Sequence, residues 1–347
     1  MVDRLNTLSP GKLPRRQLEH LLRYRGAHDR RVVVGPAFGE DAAVIDLGRY
    51  YLILKSDPVT FTADEIGWYA VHVNANDVAV MGARPAWFQS TIIVPPRTPV
   101  AAVHAIARDI HRAAKQLGIA VTGGHTEVSA AVRQPVVAGD MQGLVSRNAL
   151  VTSSGATAGD LVVLTKTAAI EGTSILARTF RRDAERILGR RMAERAARFH
   201  RVPGISVVED AMIAARHGAT AMHDPTEGGL AAALYELSAA SKTKLIVDLD
   251  RIAIAEPTRL LCAHFGLRPL GLIASGALLA TVRPAKVAAL LRALHRRRVP
   301  AAVIGEVATG RGVEARSAGK RVRFEWSEKD ELTRVPSPKP QGPSRRA

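Results

Sequence analysis

Asn74-Ala75-Asn76-Asp77-Val78-Ala79-Val80-Met81-Gly82-Ala83-Arg84-Pro85 sets two amides and a carboxylate in an otherwise apolar run that Gly82 and Pro85 bring to a stop. Ile66, Tyr69, Ala70 and Val73 continue the apolar set upstream. The spacing therefore predicts a helix over residues 65–81, with Asp77 near its middle or end. Four further segments share this character: Gly39-Glu40-Asp41-Ala42-Ala43-Val44-Ile45, Ser56-Asp57-Pro58-Val59-Thr60-Phe61, Gly123-Gly124-His125-Thr126-Glu127-Val128 and His223-Asp224-Pro225-Thr226-Glu227-Gly228-Gly229-Leu230. Each puts a carboxylate at the edge of an apolar strand or helix, where a hard oxygen ligand reaches a divalent cation and a phosphate. The pattern points to a magnesium nucleotide.

Around these segments the chain mixes helices and strands. A short helix is expected over residues 14–24, and strands over 32–34, 42–45 and 51–55. After the Asp77 helix come a strand over 87–94, a helix over 100–117 stopped by Gly118, a buried strand over 119–122 running into a Gly123-Gly124 turn, and a strand over 135–145. Ser153-Ser154-Gly155-Ala156-Thr157-Ala158-Gly159-Asp160 is small, polar and glycine-rich, which is the composition of a domain boundary. The second half repeats the alternation without a regular βαβ repeat, including a long helical region over 174–199 and a helix opening at Gly228. The expected fold class is α+β, with domains over residues 1–152 and 153–334. From residue 335 proline, serine and basic residues cannot supply a core. A disordered basic tail, dispensable for any ATP chemistry, is expected over 335–347.

The 347 residues exceed the usual size of one core, and 47% of them are hydrophobic, enough to bury two. No stretch approaches the roughly 20 apolar residues of a membrane span, and no apolar run precedes Lys12, so a cytoplasmic protein without membrane attachment is expected. Cys262 is the one cysteine and sits in an apolar helical stretch, which excludes an internal disulfide or a thiolate metal cluster. The net charge of +17 comes mostly from arginine, with nine arginines between positions 178 and 201. Such a surplus attracts nucleic acid or anionic substrates, or reflects arginine on solvated faces. Aromatics make up only 4%, with few among the basic runs to stack bases, so nucleic-acid binding is not favoured.

Phosphoryl transfer needs a cradle for the polyphosphate, cations bridging its oxygens and a place for the acceptor. Asp41, Asp57 and Asp77 are the candidate magnesium ligands, since a few carboxylates from separate segments suffice for an ion that keeps waters. Their structural alternatives are turn or capping roles for Asp41 and Asp57 and an internal pair for Asp77. Gly123 and Gly124 let backbone amides approach an anion, and Thr126 adds a hydroxyl; the alternative is a plain turn. His125 either contacts a phosphate or bonds to backbone. Asp224 and Glu227 precede a helix N-terminus that favours an anionic ligand, unless they serve only as caps. No Walker A segment, protein-kinase loop or Rossmann fingerprint is present.

In this order the segments resemble the aminoimidazole ribonucleotide (AIR) synthase superfamily, most closely its AIR-synthase-related and hydrogenase-maturation HypE-like branch. The resemblance spans residues 11–307 and includes Gly11-Lys12-Leu13-Pro14, Ala274-Ser275-Gly276 and Ile304-Gly305-Glu306-Val307. It implies an N-terminal α/β domain whose strands join those of a second subunit in a barrel, an α+β C-terminal domain, a homodimer, and ATP in a groove of the N-terminal domain. It implies metal and phosphate contacts from Asp41, Asp57 and Asp77, nucleotide contacts from Asn74, Gly123, Gly124, His125, Thr126 and Glu127, and a reach from the second domain by Asp224 and Glu227. Members phosphorylate a small molecule or activate one of its oxygens. Thiamine-monophosphate kinases of the superfamily place an aspartate where this chain has His125, which takes one metal ligand from the kinase reading. HypE-type factors carry a carbamoyl group on a terminal cysteine, whereas this sequence ends Pro343-Ser344-Arg345-Arg346-Ala347, so dehydration on its own tail is not expected. The expected function is therefore ATP- and Mg2+-dependent phosphorylation or activation of an unidentified acceptor, small or protein-borne. The rivals are a nucleotide-binding accessory or maturation protein without turnover and, on the arginine surface, a nucleic-acid binder.

Overall fold

The computed structural model describes residues 11–60, 62, 64–326 and 329–335. Its first half supplies β1 (Val32–Val34), β2 (Ala43–Asp46), β3 (Tyr50–Val59), β4 (Arg84–Val94), β5 (Ala120–Val128) and β6 (Val136–Ser146), hydrogen-bonded in the order β1-β2-β3-β6-β4-β5. Neighbours run antiparallel except β4 and β5. The second half supplies β7 (Leu161–Thr165), β8 (Ala219–His223), β9 (Lys244–Asp248), β10 (Leu279–Val282), β11 (Ala301–Ala308), β12 (Gly312–Ser317) and β13 (Lys320–Val322), in the order β13-β12-β9-β11-β7-β10-β8. The helices are α1 (Arg15–Leu21), α2 (Ile66–Val80), α3 (Val100–Leu117), α4 (Ile170–Thr179), α5 (Arg181–Leu188), α6 (Arg190–Ala197), α7 (Val208–Arg216), α8 (Gly229–Ser241), α9 (Glu256–Phe265) and α10 (Pro284–Arg296). The α+β class follows. Among the described residues no helix is long and apolar enough to cross a membrane.

All fifteen residues of α2 are buried, because the helix is covered on every side. The first sheet lies beneath it, α3 beside it, and α7 and β8 of the second half above it. Strict alternation in β6 turns Val137, Met141 and Val145 inward toward this helix. Gly67 permits the close crossing of α3, since a Cβ there would stand 2.5 Å from the Ile106 carbonyl oxygen. Asn76 joins the two halves: its Nδ2 donates to Ile205 O at 2.8 Å and its Oδ1 accepts from Val207 N at 2.8 Å. A buried amide fully used in this way fixes how the halves meet.

Three segments depart from the sequence reading. The long helical region over 174–199 is broken at Phe180 and at Gly189, whose φ is +72°, into α4, α5 and α6. The Gly123-Gly124 pair is not a turn, because β5 runs straight through it. A Cβ at Gly124 would lie 2.2 Å from Ser90 O of β4, so close strand approach explains this glycine. The chain also packs as far as Val335, which lies against the cluster built on Leu176, Leu261 and Leu272. Residues 336–347 of the expected tail lie outside the described residues.

Candidate nucleotide and cation site

A cleft of about 420 Å3 opens where β3, the end of α2, the loop before β2, the start of α8 and the N-terminal segment meet. Asp41, Asp57 and Asp77 all line it, with Glu227 on the opposite wall. The strand β3 continues past Lys55 through Asp57, placing both side chains on the sheet rather than in a turn. Lys55 Nζ stands 3.1 Å from Asp77 Oδ2 and 3.9 Å from Asp57 Oδ2. Burial opposes a charge on Lys55, but the carboxylates of Asp77, Asp57 and Asp41 outweigh it and raise its pKa. Asn74 secures this geometry from α2, donating to Ala70 O at 2.8 Å and to Asp57 O at 3.1 Å.

Asp41 is buried and serves as neither turn nor cap. Its Oδ2 accepts from Ser153 Oγ at 2.9 Å, and its Oδ1 lies 2.6 Å from His223 Nδ1. His223 Nε2 reaches Glu236 Oε2 at 3.0 Å, so the ring is held between two carboxylates. Desolvation disfavours the imidazolium, yet Asp41 and Glu236 overcome it and hold the His223 pKa well above its ordinary value. Burial raises Glu236, but Lys12 and His223 more than offset that and lower it to about 2. Lys12 completes the chain, with Nζ 3.3 Å from Thr226 Oγ1 and 3.5 Å from Glu236 Oε1, and its backbone N–H donating to Glu227 Oε2 at 3.1 Å.

Asp224 carries the clearest signal. It is 1% exposed, and among the described residues no N–H or hydroxyl donor reaches either carboxylate oxygen, its polar neighbour being the carboxyl of Asp77. The capping alternative fails, because the N-terminus of α8 is served from elsewhere: Asp330 Oδ2 accepts from Gly228 N at 2.7 Å. Desolvation first, and Asp41 second, raise the Asp224 pKa to about 6. Asp77 is likewise raised, by burial and by Asp224, Asp57 and Asp41 together, against the opposing pull of Lys55. Asp41, His223 and Asp224 each offer a ligand atom within 4.8 Å of the others. A buried carboxylate without a partner is costly. A divalent cation would supply what is missing, and the carboxylate oxygens of this group fit a magnesium ion, whereas His223, charged and held through both ring nitrogens by Asp41 and Glu236, offers it no lone pair.

Gly123, Gly124, His125, Thr126 and Glu127 are not brought into this cleft. They lie on β5, exposed along its whole length at the sheet edge, with His125 Nε2 3.3 Å from Glu127 Oε2. The sequence reading passed over Lys55, Ser153 and Glu236. Glu236 had a signal, as the lone charge in the otherwise apolar Gly229–Ser241 helix, and so did Lys55, inside the apolar Tyr50–Val59 strand. Ser153 had none.

Residues 39–145 match the N-terminal domain of AIR synthase related proteins, and residues 157–317 match their C-terminal domain. The chain belongs to the AIR synthase related family. Carbamoyl dehydratase HypE of Cupriavidus necator is 29% identical over 291 residues, which cover 80% of this chain and 78% of that protein. A putative hydrogenase expression/formation protein of Methanocaldococcus jannaschii is 27% identical over 251 residues, 70% of this chain and 71% of that one. Among solved structures, hydrogenase maturation protein HypE in complex with ATP has a TM-score of 0.69 at 24% identity, covering 85% of this chain and 89% of that one. AaThiL complexed with AMPPCP and TMP has a TM-score of 0.66 at 21% identity, covering 83% and 90%.

Proposed function

We propose that this protein binds ATP with Mg2+ in the cleft and uses it to phosphorylate or activate an oxygen of an acceptor. The observation that carries this reading is the convergence of Asp41, Asp57 and Asp77 on one cleft, with Asp224 buried against Asp77 and Asp41 and its two oxygens given no donor among the described residues. The matches to HypE in complex with ATP and to AaThiL with AMPPCP support the nucleotide. Asp41, Asp57 and Asp77, joined by Asp224, would hold the metal, which when bound neutralises polyphosphate charge. Lys12 and Lys55 supply positive charge to the cleft, and with a nucleotide present Lys55 would exchange a carboxylate for a phosphate oxygen. Screening candidate acceptors for ADP release tests the assignment. ATP binding without acceptor-dependent release under any condition would instead favour an accessory protein without turnover.

Cys262 is not a group carrier in this reading. It is 1% exposed within α9, and burial, with the nearby Glu331 charge, pushes its thiol up to about 12. Cys262→Ser is accordingly expected to retain ATP binding and turnover, with at most about 2 kcal/mol lost in packing, measured by urea unfolding.

A homodimer is part of the proposal. The outer edge of β5 is unpaired in the sheet order, and Val121 and Val128 are exposed along it. An open edge with apolar side chains is unfavourable in water, and pairing with a second copy removes it. That pairing would also bring Gly123 to Glu127 under a neighbouring subunit, the arrangement in which they could meet a nucleotide. Light scattering is expected to give twice the 37.2 kDa chain mass at micromolar concentration. A monomer would remove both the barrel and the role of these five residues.

A further inference from the structure

Two cavities of about 770 and 800 Å3 adjoin across Val202 and Pro203, which line both. Arg191, Arg195 and Arg198 line the first, and Arg84, Arg216 and Arg298 the second. Arg191, Arg195 and Arg198 are spaced by four and three residues, so they stack on one face of α6 and its extension. All six are exposed, and none makes a side-chain hydrogen bond or ion pair among the described residues. Acids do little to balance them. Glu209 and Asp210 are already matched, by Arg297 at 2.7 Å and Lys166 at 3.0 Å, which leaves Glu194. Arg201 belongs to the wall, stacked 3.6 Å over the Trp68 ring and paired with Glu65.

Six uncompensated guanidinium groups in one groove repel one another, and a polyanion relieves that repulsion. The lining decides which polyanion. Phe199, the one aromatic among the lining residues, is buried, so neither cavity offers a base-stacking platform. Between the two basic ends the saddle is apolar, with Val202 72% exposed. A nucleic-acid backbone has nothing to place there, whereas a peptide does. We propose that this groove docks an acidic segment of a partner protein, with carboxylates over the two arginine sets and a short apolar side chain on Val202 and Pro203.

The test is fluorescence anisotropy on the full-length protein with a labelled peptide of Asp and Glu carrying two central leucines, at near-physiological salt. Two comparison probes are the same peptide with serines for the leucines and a labelled oligo-thymidylate of equal length. The variant Arg195→Glu/Arg198→Glu/Arg298→Glu is expected to bind the leucine peptide at least about tenfold more weakly. Arg30→Glu/Arg49→Glu/Arg311→Glu, which makes the same change in net charge at exposed sites elsewhere, is expected to change it less than about threefold. Unchanged melting temperature and ATP affinity establish that both variants fold. Equal losses in the two variants would show attraction to net charge alone and overturn the proposal. Absence of peptide binding, or no advantage of leucine over serine, would also overturn it. Tighter binding of oligo-thymidylate with the same arginine dependence would assign the groove to nucleic acid instead.

Discussion

In EDTA the affinity for ATP is expected to fall by at least about a hundredfold relative to excess Mg2+, read by calorimetry. Asp41, Asp57, Asp77 and Glu227 face the cleft, and Asp224 lies against Asp77 and Asp41. Glu40 and Glu236 line the cleft too, so that Lys12, Lys55, Arg15 and the charged His223 offset only part of that charge. Each like-charge pair near 4 Å costs about 4 kcal/mol at an effective dielectric of about 20. A triphosphate without its cation therefore meets net repulsion in a protein whose overall charge is +17. Asp77→Asn and Asp41→Asn should each weaken binding of the magnesium nucleotide by about ten- to a hundredfold. Asp46→Asn is the matched control: Asp46 lies outside the cleft, with both carboxylate oxygens 2.7 Å from Arg147 Nη1. That pair is solvent-exposed and screened, so its loss should leave ATP affinity unchanged. Equal affinity in EDTA and in Mg2+ would sink the cation assignment.

What the sequence disclosed, and what it hid, follows from range. Asp77 could be placed on a helix because its neighbours repeat with the helical period, and the end of α2 is marked by Gly82, whose φ is +79°. The α+β class was legible for the same reason, from short apolar runs between turn residues. The charged strands β12 and β13 carry little such periodicity, and only pairing with β9 and with each other organises them. Gly123-Gly124 looked like a phosphate loop because a glycine required by backbone approach reads the same whether the approaching group is a phosphate or Ser90 O. In the chain Lys12, Glu236, His223, Asp41 and Ser153 every link but His223–Glu236, which spans 13 positions, joins residues more than a hundred positions apart. No local pattern encodes it, although a lone glutamate in an apolar helix shows that some partner must exist.

Asp224→Asn is expected to stabilise the metal-free protein by about 2–3 kcal/mol at pH 7.5 and to remove most of the stabilisation that Mg2+ gives the natural sequence. The Asp224 pKa is raised from 3.8 to about 6 in the folded chain. Below about pH 4 the group is protonated both folded and unfolded, so it costs nothing. Between about pH 4 and 6 the folded state holds more protons than the unfolded one, and stability is lost as pH rises. Above pH 6 the loss is complete, roughly 3 kcal/mol for a shift of about two units. Asparagine has nearly the same shape and no charge, so the two proteins should unfold at similar urea concentrations near pH 4 and diverge as pH rises. The comparison separates Asp224, together with Asp77 whose raised pKa depends on it, from His72, whose pKa burial lowers to about 3 and whose contribution runs the opposite way, stability rising with pH from about 3 to 6.5 in both proteins. Adding Mg2+ at pH 7.5 should reverse the order, because an ion bound only by the folded state adds stability where the carboxylate is present. A variant less stable than the natural sequence at pH 7.5 without metal would mean that Asp224 is satisfied by a partner within the fold. The unpartnered carboxylate would then no longer argue for a cation in the cleft.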